Sequence, residues 1–252
     1  MRRRSAALLL SGALAVGVLV IPSIQRHESS GDARILGVSV NGDNPVVLGP
    51  TGSSVISFSI TAEDDSGIAS VDGVGLWGPN ISVLPGGPTH CVAKTATISV
   101  CTGSSSVDIT KKQIFDDMAG QWYVQATAHA HDGDALTKQK AGSFSIKKEG
   151  QLTEYGAPHT APKGALIGIG GQLKKPDWDS GVWVPNPDQK VSVQFCAKDC
   201  VKPTVVAETT TDANGTIAVT VRTTVTGDYT LVYAGTYWAE GVQSMSPQVT
   251  VQ

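Results

Sequence analysis

Residues 56–65 read ISFSITAEDD, and further along the chain residues 122–134 read WYVQATAHAHDGD. In each stretch apolar and polar residues alternate with a period of two, so an extended strand would have one apolar face and one polar face. The apolar positions are Ile56, Phe58, Ile60 and Ala62 in the first stretch and Trp122, Val124, Ala126 and Ala128 in the second. We therefore predict that both stretches are central strands of a β-sandwich.

Short alternating runs continue through the chain after residue 26, and Gly, Pro, Asn and Asp separate them. In the second half we predict seven strands, at residues 151–157, 165–173, 190–195, 204–211, 215–222, 228–234 and 248–252. The Asn214-Gly215 pair predicts a turn between two of them, because Asn-Gly accepts positive φ angles. Only Lys111–Ala119 is predicted to be a helical turn. Seven short strands with regular turns are typical of an immunoglobulin-like sandwich.

The length and composition favour two domains of modest size. The chain has 252 residues, of which 28 are glycine and only 16% are charged, and a domain usually contains about 100–150 residues. The composition changes at Lys147–Gly150, which reads KKEG. We predict an all-β protein of two tandem immunoglobulin-like β-sandwich domains, at residues 27–148 and 149–252, after an N-terminal signal segment.

Residues 1–26 have the pattern of a secretory signal peptide. Three arginines at positions 2–4 precede an uncharged, mostly apolar run from Ser5 to about Ile21. The small residues of a cleavage site occur only at Ala13 and Ala15, inside that run. The alternative is a retained membrane anchor, although about 16 apolar residues are fewer than the roughly 20 that a membrane-spanning helix needs. Both interpretations predict a secreted or extracellular protein, and the second predicts attachment to the cell surface.

The charge excludes nucleic acid as an expected partner. The formal net charge is −3, and removing residues 1–26 takes away four arginines and leaves −7. No basic stripe then remains that could neutralise phosphates.

Four cysteines fit export, because disulfides persist in oxidising compartments. Four cysteines allow three pairings. We predict Cys91–Cys101 and Cys196–Cys200, since each pair is local and each lies in a different predicted domain. The alternative is a metal site, but the sequence has no second Cys or His pair at zinc-finger spacing.

The sequence also resembles a group of secreted actinobacterial proteins with two immunoglobulin-like domains. The stretches that carry the resemblance are GVSVNGDNPVVLG (37–49), SFSITAEDDSGI (57–68), GQWYV (120–124), AGSFSIKK (141–148), LKKPDWDSG (173–181), VSVQF (191–195), TTDANG (210–215) and GDYTLVYAGT (227–236). Most members have no known function, and some are labelled calcium-binding. The resemblance therefore implies the fold and export rather than an activity.

The first candidate site is acidic. Asp64 and Asp65 follow the first quoted stretch, and Asp132 and Asp134 end the second. If these stretches are strands B and F, the four aspartates lie in the B–C and F–G loops, which cluster at one end of an immunoglobulin-like sandwich. Carboxylates at that density suit Ca²⁺. The alternative is that these aspartates only form turns.

The second candidate site is aromatic. Trp178 and Trp183 bracket the B–C loop of the second domain, and Tyr237 and Trp238 lie in its F–G loop. Aromatic planes beside acidic residues could stack on sugar rings, as in a carbohydrate-binding module. In this fold, however, the two loops of domain two point back towards domain one, so packing at the interdomain junction is the alternative, with local core packing as a third.

The sequence lacks the motifs of the common enzyme classes. It has no Gly-x-Ser-x-Gly elbow, no His-Glu-x-x-His, no phosphate loop and no dinucleotide-binding fingerprint in a suitable context. We therefore predict an exported, non-enzymatic binding or structural module whose partner is an extracellular protein or glycan, with no certain cofactor. The alternatives are a calcium-binding extracellular protein and a carbohydrate-binding accessory protein.

Overall fold

The structure is a computed structural model that describes residues 28–198, 200–245 and 248–252. The predicted signal segment, residues 1–26, lies outside the described residues. The described chain is almost entirely β: it has twenty strands and three short 3-10 turns, at Asn41–Asp43, Pro79–Ile81 and Asp116–Met118. Within these residues no helix has the length and apolarity to cross a membrane.

The first ten strands form one sandwich. They are β1 (Glu28–Ser30), β2 (Arg34–Val40), β3 (Val46–Leu48), β4 (Ser53–Glu63), β5 (Ile68–Trp77), β6 (Val83–Pro85), β7 (His90–Ala93), β8 (Ile98–Asp108), β9 (Gly120–Ala130) and β10 (Ala135–Lys148). One sheet has the order β2-β4-β8-β7. The other has the order β1-β10-β9-β5-β6, and β3 also pairs with the last three residues of β10, in parallel.

This strand order is that of an immunoglobulin-like sandwich, with strands A, B, E and D in one sheet and G, F and C in the other. The alternating pattern predicted the inner faces of the central strands: Ile56 and Ile60 of β4 and Trp122 and Val124 of β9 are completely buried. The fold class predicted from the sequence is confirmed.

The remaining ten strands form a second sandwich. They are β11 (Gln151–Tyr155), β12 (Thr160–Ala161), β13 (Leu166–Asp177), β14 (Val182–Pro185), β15 (Lys190–Ala197), β16 (Thr204–Thr210), β17 (Thr216–Arg222), β18 (Gly227–Tyr233), β19 (Val242–Gln243) and β20 (Gln248–Val251). In one sheet β13 pairs with β11, β14 and β17; the other has the order β12-β20-β18-β15-β16, with β19 beside β18. The core residues include Ile169, Leu173, Val193, Ile217 and Leu231.

Both cysteine pairs lie at disulfide distance. Cys91 and Cys101 face each other across strands β7 and β8, with Cα atoms 3.9 Å apart. Cys196 and Cys200 close the turn after β15, with Cα atoms 5.6 Å apart. Each sandwich therefore carries one local disulfide.

Two local details differ from the sequence prediction. The helical turn predicted over Lys111–Ala119 is reduced to the single 3-10 turn Asp116–Met118. In the second sandwich β13 extends to Asp177 and pairs with β14, so a hairpin replaces much of the predicted B–C loop.

The turn at Asn214-Gly215 requires glycine for two reasons. Gly215 has a φ of +71°, and a Cβ atom there would lie 2.3 Å from the carbonyl oxygen of Leu173. We expect Gly215→Ala to lower the free energy of unfolding by about 2 kcal/mol or more, because strain in the turn adds to the clash. Urea unfolding measures this loss. Gly156→Ala is the control, since Gly156 also has a positive φ but has open space around it. Equal losses in both variants would mean that the clash is relieved without cost.

Candidate functional site

The four aspartates predicted from the sequence lie together at one end of the first sandwich. Asp64 and Asp65 are in the loop between β4 and β5, and Asp132 and Asp134 are in the loop between β9 and β10. Asp32, between β1 and β2, joins them. We call these five residues the aspartate cluster. One carboxylate oxygen from each of Asp32, Asp64 and Asp134 lies within 4.8 Å of the others, and the same holds for Asp64, Asp65 and Asp132.

Asp64 is the central residue of the aspartate cluster because it belongs to both groups of three. Its side chain is buried, with 1% of the residue exposed. Its Oδ1 accepts hydrogen bonds from the backbone N–H of Ser66 (2.9 Å) and from the Ser66 hydroxyl (2.6 Å). Those bonds, chiefly the one from the hydroxyl, lower the pKa of Asp64. Its Oδ2 is buried, and no N–H or hydroxyl group in the part of the chain that the structure describes donates to it.

Backbone N–H groups hold the other aspartates in position. Asp134 Oδ2 accepts from the N–H of Asp32 at 2.9 Å, and Asp132 Oδ1 accepts from the N–H of Asp134 at 3.0 Å. Gly31, at a φ of +76°, leaves the space that the Asp134 carboxylate fills, since a Cβ atom there would overlap it. The negative charge of Asp65 is the first cause that raises the pKa of Asp32. The cluster is thus preformed and crowded with negative charge.

The sequence prediction missed Asp32, although the topology contains the signal for it. Strand A of an immunoglobulin-like sandwich starts at the end where the B–C and F–G loops lie. An acidic residue just before that strand is therefore expected to reach the same cluster.

Trp178 does not lie on a surface; it fills the junction between the two sandwiches. The side chain is completely buried and belongs to the core of the first sandwich, although it comes from the second. Its indole N–H donates to the carbonyl oxygen of Gly49 at 2.9 Å, and its backbone N–H donates to Asp116 Oδ1 at 2.7 Å. For Trp178 the structure agrees with interdomain packing, the alternative to glycan binding.

Lys148 is the second buried residue of the junction. Its ammonium group lies 2.7 Å from Asp116 Oδ1 and 5.3 Å from the centre of the Trp178 ring, and only 5% of the residue is exposed. Its backbone N–H donates to the carbonyl oxygen of Trp238, and its carbonyl oxygen accepts from the N–H of Glu240. The last residue of β10 is thus bonded to the F–G loop of the second sandwich by its main chain, while its side chain pairs with Asp116 of the first sandwich beside the Trp178 ring.

The remaining aromatic residues of the predicted ligand site are more accessible than Trp178. Trp183 is half-buried, while Tyr237 and Trp238 are 58% and 53% exposed. The Tyr237 hydroxyl accepts a hydrogen bond from the backbone N–H of Gln121 at 3.0 Å, so this side chain also bridges the two sandwiches. Glycan binding at these three residues stays a prediction.

A second group of acidic residues at the junction, Asp116, Asp177 and Asp179, has ligand atoms within 4.8 Å of one another. Two lysines contact this group: Lys148 forms an ion pair with Asp116, and the Lys112 ammonium donates to the backbone carbonyl of Asp179 at 2.6 Å. The backbone N–H of Ser180 is the main cause that lowers the pKa of Asp177. This group is therefore part of the junction, where the Lys148 ammonium supplies a positive charge beside the Asp116 carboxylate.

No family model matches the sequence, and no curated protein matches it. Solved structures that are similar in part include a protein from Legionella, intimin domains and a phage capsid protein. A DUF4785 family protein from Legionella pneumophila is 11% identical with a TM-score of 0.39, over 81% of this chain and 56% of that protein. The present chain thus spans little more than half of the length of that Legionella protein.

The D0–D1 domain of intimin is 15% identical with a TM-score of 0.29, over 87% of this chain and 100% of that one. The three N-terminal domains of the highly immunogenic outer capsid protein of bacteriophage RB49 are 12% identical with a TM-score of 0.29, over 87% of this chain and 70% of that one. Because these TM-scores are below 0.5, the immunoglobulin-like assignment rests on the strand order of the chain itself.

Proposed function

We propose that this protein is an exported, non-enzymatic binding or structural module that acts at or outside the cell surface. The observation that carries the proposal is the junction, where Trp178 is buried in the core of the other sandwich and Lys148 is bonded to both. Such a junction holds the two sandwiches in a fixed orientation, which suits a spacer or a binding surface assembled from both.

One further feature supports the proposal. The disulfide-distance cysteine pairs suit an oxidising compartment. The partner we propose is an extracellular protein or glycan.

Export and binding can be tested with the full chain carrying a C-terminal tag. We expect the tagged protein outside the cytoplasm, with its N-terminus near residue 27 if the signal is cleaved or with residues 1–26 retained if it is an anchor. The purified protein should bind an extracellular polysaccharide or surface protein on an array and should turn over no substrate of a hydrolase panel. Cytoplasmic retention would contradict export, and turnover would contradict the non-enzymatic role.

A further inference from the structure

The buried, unpartnered oxygen of Asp64 is the feature of the aspartate cluster that turns alone do not explain. A turn-forming aspartate needs one oxygen to accept the backbone N–H two residues on, and Asp64 Oδ1 does this with Ser66. Oδ2 of the same carboxylate is buried, and among the described residues no N–H or hydroxyl group donates to it. An oxygen that carries negative charge and has no such donor is costly to bury. A bound cation would remove that cost.

We propose that the aspartate cluster binds Ca²⁺ with Asp64 as its central ligand. Asp32 is a further ligand, so the bound ion attaches the N-terminal strands to the two loops. This inference goes beyond the proposed module function.

The distances fit a calcium ion. Ca²⁺–oxygen bonds are about 2.3–2.6 Å long, so two ligands on opposite sides of one ion lie up to about 5 Å apart. The ligand oxygens of each group of three lie within 4.8 Å of one another. Ca²⁺ also tolerates the irregular geometry of loop carboxylates, whereas Mg²⁺ demands a near-ideal octahedron. A hard cation of charge +2 is therefore the ligand class, and Ca²⁺ is favoured over Mg²⁺.

The cluster is held ready for an ion by bonds that leave ligand oxygens free. Asp132 and Asp134 each use one oxygen to accept a backbone N–H. The Ser66 hydroxyl accepts the N–H of Asp132 at 3.2 Å and donates to Asp64, so it ties the two loops together. Because the loops are already joined, binding needs little reorganisation, and Asp32 is the ligand that adds the N-terminal segment to them.

The first experiment is thermal unfolding of the purified protein in EDTA, in CaCl₂ and in MgCl₂ at matched ionic strength. At a free Ca²⁺ concentration of about one hundred times the Kd, binding shifts the folding equilibrium by roughly a hundredfold, which raises Tm by several degrees. We expect that rise in Ca²⁺ and a much smaller one in MgCl₂. An equal Tm in EDTA and CaCl₂, or equal rises with both ions, overturns the proposal.

Asparagine variants locate the ion. Asp64→Asn keeps an oxygen that can accept from Ser66 but removes the charge, and we expect it to abolish the rise in Tm. Asp65→Asn, at an exposed position, should weaken Ca²⁺ affinity at least several-fold and is the safer variant if Asp64→Asn fails to fold. The matched control is Asp43→Asn, which removes the same charge from an exposed aspartate outside the cluster. If Asp65→Asn and Asp43→Asn both bind Ca²⁺ as the wild type does, the proposal fails.

Hydrogen exchange tests the role of Asp32. In the wild type we expect Ca²⁺ to slow exchange of the backbone N–H groups of residues 28–33 together with those of the two loops. In Asp32→Asn the loops should still gain protection, but residues 28–33 should not. If residues 28–33 gain the same protection in Asp32→Asn, or none in the wild type, Asp32 is not a ligand and the fastening role is wrong.

Discussion

Replacing Trp178 with alanine is expected to lower the free energy of unfolding by about 3–5 kcal/mol, the usual loss for a buried tryptophan. The variant removes the largest side chain of the junction, leaves a cavity in the core of the first sandwich, and leaves the carbonyl oxygen of Gly49 without its indole donor. Urea unfolding followed by circular dichroism measures the loss. Since Trp178 links the two cores, we also expect the wild type to unfold in one transition and Trp178→Ala in two.

Trp183→Ala is the matched control for Trp178→Ala. Trp183 lies in the same hairpin, on β14, but it is only half-buried and is not part of either core. We expect Trp183→Ala to lower the free energy of unfolding by about 1 kcal/mol or less and to leave the cooperativity of unfolding unchanged. Similar losses for the two tryptophans would show that Trp178 does not couple the sandwiches.

Replacing Lys148 with methionine is expected to lower the free energy of unfolding by about 2–3 kcal/mol. Breaking a fully buried ion pair usually costs 3–5 kcal/mol, and the loss here is smaller because the Asp116 side chain is 33% exposed to water. Methionine keeps most of the apolar stem, so the loss reports the missing charge rather than a cavity. Chemical unfolding of the variant and the wild type at neutral pH gives the difference.

The neighbouring residue supplies the control for Lys148→Met. Lys147 pairs with Glu240 across the same junction at 3.3 Å, but both side chains are partly exposed. Lys147→Met is therefore expected to lower the free energy of unfolding by no more than about 1 kcal/mol. Adding Asp116→Asn to Lys148→Met should recover part of the loss, because the unpaired charge is gone while the Trp178 N–H keeps an acceptor. A double-mutant cycle with no coupling would contradict the ion pair.

The fold was predictable from the sequence where one physical cause dominates. The period-two pattern of residues 56–62 decides which face of β4 is buried, and the seven strands predicted in the second half correspond to β11, β13, β15, β16, β17, β18 and β20. The shortest strands of the second half were not predicted: β12 and β19 have two residues each and β14 has four, too few to show a periodic pattern.

The candidate site was predictable only in part, because its members depend on contacts between distant residues. Loop clustering brought Asp64 and Asp132 together in the prediction, but Asp32, 32 residues before Asp64, reaches them because β2 pairs with β4. Trp178 could be placed at the domain end from topology, whereas its burial in the first core depends on how the two sandwiches meet. The predicted helical turn is shortened to Asp116–Met118 at a place that also makes distant contacts, because Asp116 bonds to Trp178 and Lys148.

The parallel pairing of β3 with β10 sets how the first sandwich would respond to mechanical tension along the chain. Val46, Val47 and Leu48 lie beside Ile146, Lys147 and Lys148, and the chain leaves this sandwich at the end of β10. A pull on the two ends of the sandwich draws the parallel strands past each other, so it loads their hydrogen bonds in shear, all at once. Antiparallel strands pulled from one end would instead separate one bond at a time. We therefore expect the sandwich to yield to such tension in a single step.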